Sequence, residues 1–157
     1  MTGKNETAYE QLKDRLATMS DLGSTRILLF WDQATYMPRG AVAGRAEQVA
    51  TLSRLSHEML VDEATARLLD CVGEPDLSSE EGALVRRVRR DYERAVKIPA
   101  DLVARTSRVT AMAEAAWARA CKESDWSFFA PHLAEVISLK REATEFGDTR
   151  IIPTKPS

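Results

Sequence analysis

The chain has 157 residues, 44% hydrophobic and 29% charged, with seven glycines and six prolines. That is enough to bury about two-thirds of its unfolded surface as one domain without staples. A net charge of −2 gives no global pull toward nucleic acid or an anionic membrane. No run approaches the roughly 20 apolar residues of a membrane span, and the start, Met1-Thr2-Gly3-Lys4-Asn5-Glu6, lacks the apolar core of a signal peptide. The expected location is cytoplasmic, with Cys71 and Cys121, which have no close-spaced partner, as reduced and packed thiols.

Along the chain the pattern is helical. Residues 6–20 place Leu12, Leu16 and Met19 at helical spacing, and Asp21-Leu22-Gly23 is expected to break that helix before Ser24 or Thr25 caps the next, making an opening antiparallel pair. The second member contains Ile27-Leu28-Leu29-Phe30-Trp31, five apolar residues in succession. At about 100° per residue such a run goes more than once round a helix, so it should be the central, buried one. It stops at Met37-Pro38-Arg39-Gly40. Asp32 follows within one turn of Leu28 and Leu29, on a surface that should be packed, and its carboxylate there needs a partner or a shifted pKa.

A long helix is predicted from about Ala41 to Leu60, with a continuation through Ala64 to Val72 as an open alternative, and with Val42, Val49, Leu52, Leu55 and Met59 as its apolar stripe. Arg45 lies on that stripe and is the candidate partner of Asp32. Ala43, Ala46, Ala50, Ser53 and His57 form a second row of small residues that lets another helix approach closely. Gly73-Glu74-Pro75-Asp76-Leu77 reads as a loop, and Ser78-Ser79-Glu80-Glu81 as a capping box. The helix it starts should run to about Lys97, with Leu84, Val85, Val88, Tyr92, Ala95 and Val96 inward. Pro99 suits the first turn of a further helix that carries Leu102, Thr106, Val109, Ala113, Ala116, Trp117 and Ala120 on one face. Asp125 to Pro131 reads as a short turn with an apolar plug. It leads into a last helix through Val136, Leu139, Ala143 and Phe146 that stops at Gly147. The fold class is therefore all-α, an antiparallel multi-helix array of about six helices with no sheet, in one domain over residues 1–147. Residues 148–157 form a loose tail.

Three groups could carry chemistry. His57-Glu58-Met59-Leu60-Val61 begins like the zinc-protease helix motif, but the fourth position after His57 is Val61 where a second His is required. With His132, Cys71 and Cys121 the only other strong nitrogen or sulfur ligands, and no pair at ligand spacing, no metal site or catalytic residue is assigned, and His57 is expected to be packed and hydrogen-bonded. Asp32 with Arg45 could be a catalytic carboxylate and its positioner, or a structural ion pair fixing how two helices meet; the structural reading is preferred, because no other base is near in sequence. The cost of Asp32→Ala is expected to be about 3 kcal/mol if the charge left behind is buried and small if it is exposed. Arg86, Arg87, Arg89, Arg90 and Arg94 form a basic run, yet acids one turn away and the lack of interleaved aromatics make a solvated face the better reading than a nucleic-acid surface.

Trp31-Asp32-Gln33, Thr35, Met37-Pro38, then Arg45-Ala46-Glu47-Gln48, Leu52-Ser53-Arg54-Leu55-Ser56-His57-Glu58, Val96-Lys97-Ile98-Pro99-Ala100-Asp101-Leu102-Val103 and Phe129-Ala130-Pro131-His132-Leu133 resemble the N-terminal region of the Taq-type thermostable zinc metallocarboxypeptidases. The resemblance runs from about Tyr9 to about Phe146. It implies the N-terminal helical portion of an enzyme that removes C-terminal residues from peptides with a zinc-bound water. It also implies that the zinc-binding helix and its third ligand, a Glu, lie outside the portion resembled, so that this chain is inactive alone and needs no cofactor of its own. Trp31, Gln33, Thr35, Met37, Pro38 and His57 belong to the resemblance without an assigned role. The partners expected are a second copy of the chain or the missing catalytic portion, with peptide substrate only in a complete enzyme and neither nucleic acid nor membrane. The alternatives are a stand-alone, non-catalytic helical interaction module and, behind it, a nucleic-acid binder.

Overall fold

The computed structural model describes residues 2–73 and 79–146, with side chains described from Glu6 onward. All regular structure among them is helical: α1 (Thr2–Thr35), a single 3-10 turn (Arg39–Ala41), α2 (Val42–Val61), α3 (Glu63–Val72), α4 (Glu80–Ala95), α5 (Ala100–Glu123) and α6 (Trp126–Phe146). The six α-helices and the absence of strand from the described residues agree with the fold class read from the sequence. The expected stop at Gly147, the loose tail and most of the loop after Gly73 lie outside the described residues.

The expected break at Asp21-Leu22-Gly23 does not occur, and α1 runs unbroken for 34 residues. One interior glycine costs a helix only about 1 kcal/mol, and the Cβ position of Gly23 meets nothing within 4 Å. The first antiparallel pair is instead α1 with α2: the end of α1 at Leu29 and Asp32 meets Arg45, while Arg15 near its start meets Met59 at the end of α2. α2 ends at Val61, beside the predicted Leu60, and the continuation through Ala64 to Val72 is a separate helix. Asp62 is extended (φ −74°, ψ 165°) and caps α3 by accepting from the Thr65 backbone N–H at 2.9 Å.

Two packing layers follow from residue size. Leu12 on α1, Leu69 on α3, and Val85 and Val88 on α4 form one buried cluster, closed by Tyr9, Leu16, Leu68, Val72, Leu84 and Tyr92. The other layer is the α2–α5 contact, the most extensive among the described residues; Ala46, Val49, Ala50 and Ser53 are the buried residues of α2, while Ala113, Ala116 and Ala120 share one face of α5 and Ala111 is buried on the opposite side, where Gln33 reaches its carbonyl. The buried face of α2 thus combines Ala46, Ala50 and Ser53 of the small-residue row with Val49 of the predicted stripe, while Ala43 of the row and Leu55 of the stripe are exposed. α5 runs antiparallel to α2, joined by His57 with Ile98 and Glu47 with Arg108. α6 returns along α5, tied by Arg105 Nη2 to Glu142 Oε2 at 2.8 Å.

The cap of α4 is Ser79, whose Oγ accepts from the Gly82 N–H at 2.9 Å. Gly82 therefore holds the third helical position, where a capping box needs Glu or Gln, so the reciprocal half predicted for Glu81 does not form there. α4 ends at Ala95, and Val96 is exposed rather than inward. The expected turn over residues 125–131 is helical from Trp126, because Asp125 Oδ1 accepts from the Phe128 N–H (3.1 Å) and the Ser127 hydroxyl (2.6 Å) and so caps α6. Pro131 is accommodated inside that helix. Trp117 and Phe146 are exposed, and so, against the expectation of packed thiols, are Cys71 and Cys121.

Candidate functional site

The end of α1 gathers most of the residues singled out from the sequence. Arg45 reaches across from the first turn of α2 and uses all three guanidinium nitrogens: Nη2 to Asp32 Oδ2 at 2.5 Å, Nη1 to the Leu29 carbonyl at 2.5 Å and Nε to Gln48 Oε1 at 3.0 Å. The Arg45 side chain is 13% exposed and that of Asp32 39%. Asp32 is thus half-buried, not largely buried as expected, since α2 covers only one side of it. Gln33 donates its Nε2 to the Ala111 carbonyl of α5 at 3.0 Å, and its Oε1 is buried without a partner. Two adjacent polar residues therefore tie α1 to two different helices.

The neighbouring apolar residues point elsewhere. Ile27 is 66% exposed, Leu28 65%, Trp31 57% and Tyr36 76%, against the expectation of a helix covered on all sides. Trp31 and Tyr36 pack edge to face, with ring centroids 5.6 Å apart. Thr35 turns its hydroxyl back to the Trp31 carbonyl at 2.7 Å. The Tyr36 and Met37 N–H groups both reach the Asp32 carbonyl at 2.9 Å, which closes α1. Pro38, extended and with no N–H to give, then begins the 3-10 turn.

His57 Nε2 lies 2.9 Å from the Ile98 carbonyl, which pins the end of α2 to the linker before α5. The His132 ring sits against Phe128, 5.8 Å between centroids. Among the described residues no three His, Cys, Asp or Glu side chains stand together as a metal-binding group. The donor set present here therefore does not fit a zinc site of three protein ligands, and no step of a metal-assisted reaction is derived from it. The basic run of α4 is dispersed in the same way: Arg89 donates to the Leu69 and Gly73 carbonyls, and Arg87 stands 3.7 Å from Asp91.

Two features were not singled out from the sequence. Arg15 donates to the Met59 carbonyl and the Thr65 hydroxyl and pairs with Asp62, knotting α1, α2 and α3 at one point. Burial opposes ionisation of Asp62, but the Thr65 N–H and hydroxyl and the Arg15 guanidinium outweigh it and hold the carboxyl below its usual value. The Asp62-x-x-Thr65 spacing was the available signal, a cap ahead of a new helix. The other is Glu114 on α5, one turn from Ala111, whose carboxyl is pushed up by burial alone. A lone Glu on an alanine-rich helix gives no sequence signal. At the α5–α6 corner Trp117, Cys121, Asp125, Trp126 and Phe129 line an open cleft of about 270 Å³.

The model of the Carboxypeptidase Taq (M32) metallopeptidase family matches residues 11–151. The chain is 35% identical over 144 residues to thermostable carboxypeptidase 1 of Thermus thermophilus, a match covering 89% of this chain and 28% of that protein. It is 30% identical over 144 residues to thermostable carboxypeptidase 1 of Pyrococcus furiosus, covering 91% of this chain and 29% of the relative. Among solved structures, the BsuCP crystal structure superposes with a TM-score of 0.86 at 26% identity over 90% of this chain and 29% of its own. The apo-Mg structure of Pyrococcus furiosus carboxypeptidase does so with 0.63 at 28% identity, over 88% of this chain and 28% of its own. The chain thus spans less than a third of the length of these relatives. With 141 matched positions out of 157, the chain belongs to the Carboxypeptidase Taq (M32) metallopeptidase family.

Proposed function

We propose that this chain is the N-terminal helical portion of a zinc-dependent carboxypeptidase, serving as scaffold and cleft wall, while the zinc-activated water that attacks the C-terminal peptide bond is held by a portion it does not contain. The single observation that carries this is the match itself: residues 11–151 fit the family model, yet the matched stretch covers only 28% of the Thermus relative. The side-chain inventory supports it. Zinc catalysis needs three convergent protein ligands and an open position, whereas His57 is committed to the Ile98 carbonyl and His132 to the Phe128 ring. In this reading Asp32, Arg45 and Gln33 hold helices and touch no substrate.

The two exposed thiols, Cys71 and Cys121, support a reducing, cytoplasmic setting. The test is a chimaera in which residues 11–151 of this chain replace the matched portion of the Thermus relative. The chimaera is expected to fold and release C-terminal residues from a peptide. A chimaera that folds, binds zinc and leaves peptide C-termini intact contradicts the proposal.

A further inference from the structure

The end of α1 is built inside out. In a helix at a domain surface the apolar residues face the neighbours and the polar ones face water. Here Asp32 and Gln33 face α2 and α5 and are engaged there. Ile27, Leu28 and Trp31 face away, with Tyr36 stacked on Trp31 beyond the helix end. At 100° per residue Ile27, Trp31 and Leu28 fall within one sector of about 100°, interleaved with Ser24 and Thr35, so the sector holds no charge. A contiguous, charge-free apolar face marks a surface that another element covers.

Its occupant follows from area and length. Four partly exposed side chains of this size offer on the order of several hundred Å², short of the ~800 Å² per partner of a standard interface between separate molecules. A cover belonging to the same polypeptide faces no such threshold, because contacts within one chain lose no free translation or rotation. The relatives supply such a cover, since about seven-tenths of their length lies outside the match. We infer that the Ile27, Leu28, Trp31 and Tyr36 face is the seat of the remainder of the carboxypeptidase fold, whose own apolar surface packs there and makes the end of α1 a central helix. This rests on the N-terminal-portion reading above and adds the surface that joins the two portions.

The test compares one pair of substitutions in two settings. Ile27→Gln with Leu28→Gln keeps helix propensity nearly constant and removes the apolar face. In the isolated 157-residue chain the pair is expected to move the melting temperature by no more than about 1 °C, since surface changes are close to neutral. In the chimaera with the Thermus remainder it is expected to lower melting by about 5 °C or more, while the conservative pair Ile27→Met with Leu28→Met leaves it near the parent. Equal shifts in both settings, or none in the chimaera, overturn the inference, as does a chimaera that fails to fold with the native face intact. A dimer of the isolated chain that dissociates with the Gln pair, with the chimaera unmoved, gives the face to a second copy instead and also overturns it. A chimaera that shows the expected difference but cleaves no peptide leaves the docking surface standing and removes the carboxypeptidase reading alone.

Discussion

Asp32 and Arg45 offer a graded test of how strongly a half-buried ion pair locks two helices. A fully exposed pair is worth under about 1 kcal/mol, and breaking a fully buried one costs about 3–5 kcal/mol. The structure falls between these limits. Arg45 is 13% exposed and Asp32 39%, so removing the acid leaves a nearly buried cation, but one that keeps the Leu29 carbonyl and Gln48 as partners. Asp32→Ala is therefore expected to cost about 1–2 kcal/mol, a fall in melting temperature of about 3–6 °C for a chain of this size. Arg45→Ala is expected to cost at least as much, because it also removes the packed aliphatic stem and two further hydrogen bonds. Urea denaturation of the parent, both single variants and the double variant isolates the pairwise energy, expected at about 1 kcal/mol. A coupling below about 0.3 kcal/mol, or an Asp32→Ala variant as stable as the parent, refutes the assignment of a structural pair.

Asp62 gives a pH-dependent counterpart. Its carboxyl is held below its usual value in the folded chain, so the stability it adds is fully present above the unfolded-state pKa of about 3.9 and is lost as pH falls through the lower folded value. Asp62→Asn should flatten the acid limb of the stability profile below about pH 4 and cost under about 1 kcal/mol at neutral pH from the lost charge opposite Arg15, since Asn caps a helix about as well as Asp; an unchanged acid limb counts against the Arg15–Asp62–Thr65 knot. Gly73 closes α3 at φ 70°, ψ −152°, a region open to little but glycine. Gly73→Ala should cost about 1–3 kcal/mol in thermal denaturation, although nothing lies within 4 Å of the new methyl, and a neutral result would mean that the turn is not held in that conformation.

What the sequence made legible was the periodic part. The starts and ends of α2, α4 and α5 fall within a few residues of the predicted positions, because caps, prolines and apolar spacing act over one or two turns. The Asp32–Arg45 approach was readable for the same local reason: two charges on otherwise apolar stretches of adjacent helices had few other partners. The misread boundaries were set by weaker competitors. Gly23 predicts a break, but its cost is small against a long helix anchored by Arg15 before it and by Asp32 and Gln33 after it. The aromatic run after Asp125 with Pro131 six residues on reads as a plugged turn, and the Asp125 cap makes it the first turns of α6 instead. Five consecutive apolar residues at 27–31 predict cover on every side, and among the described residues Ile27, Leu28 and Trp31 stay exposed. That mismatch comes from global context, since periodicity shows that a face must be buried and not by what. Glu114 and the buried Gln33 amide are tertiary facts with no sequence signature.

The central claim, that this chain carries the scaffold and not the chemistry of a carboxypeptidase, is tested most directly by the dialysed, isolated chain assayed for bound zinc and for release of C-terminal residues from a peptide. The account predicts substoichiometric zinc and no release, because no three ligands converge among the described residues. One tightly held zinc per chain together with turnover would contradict it.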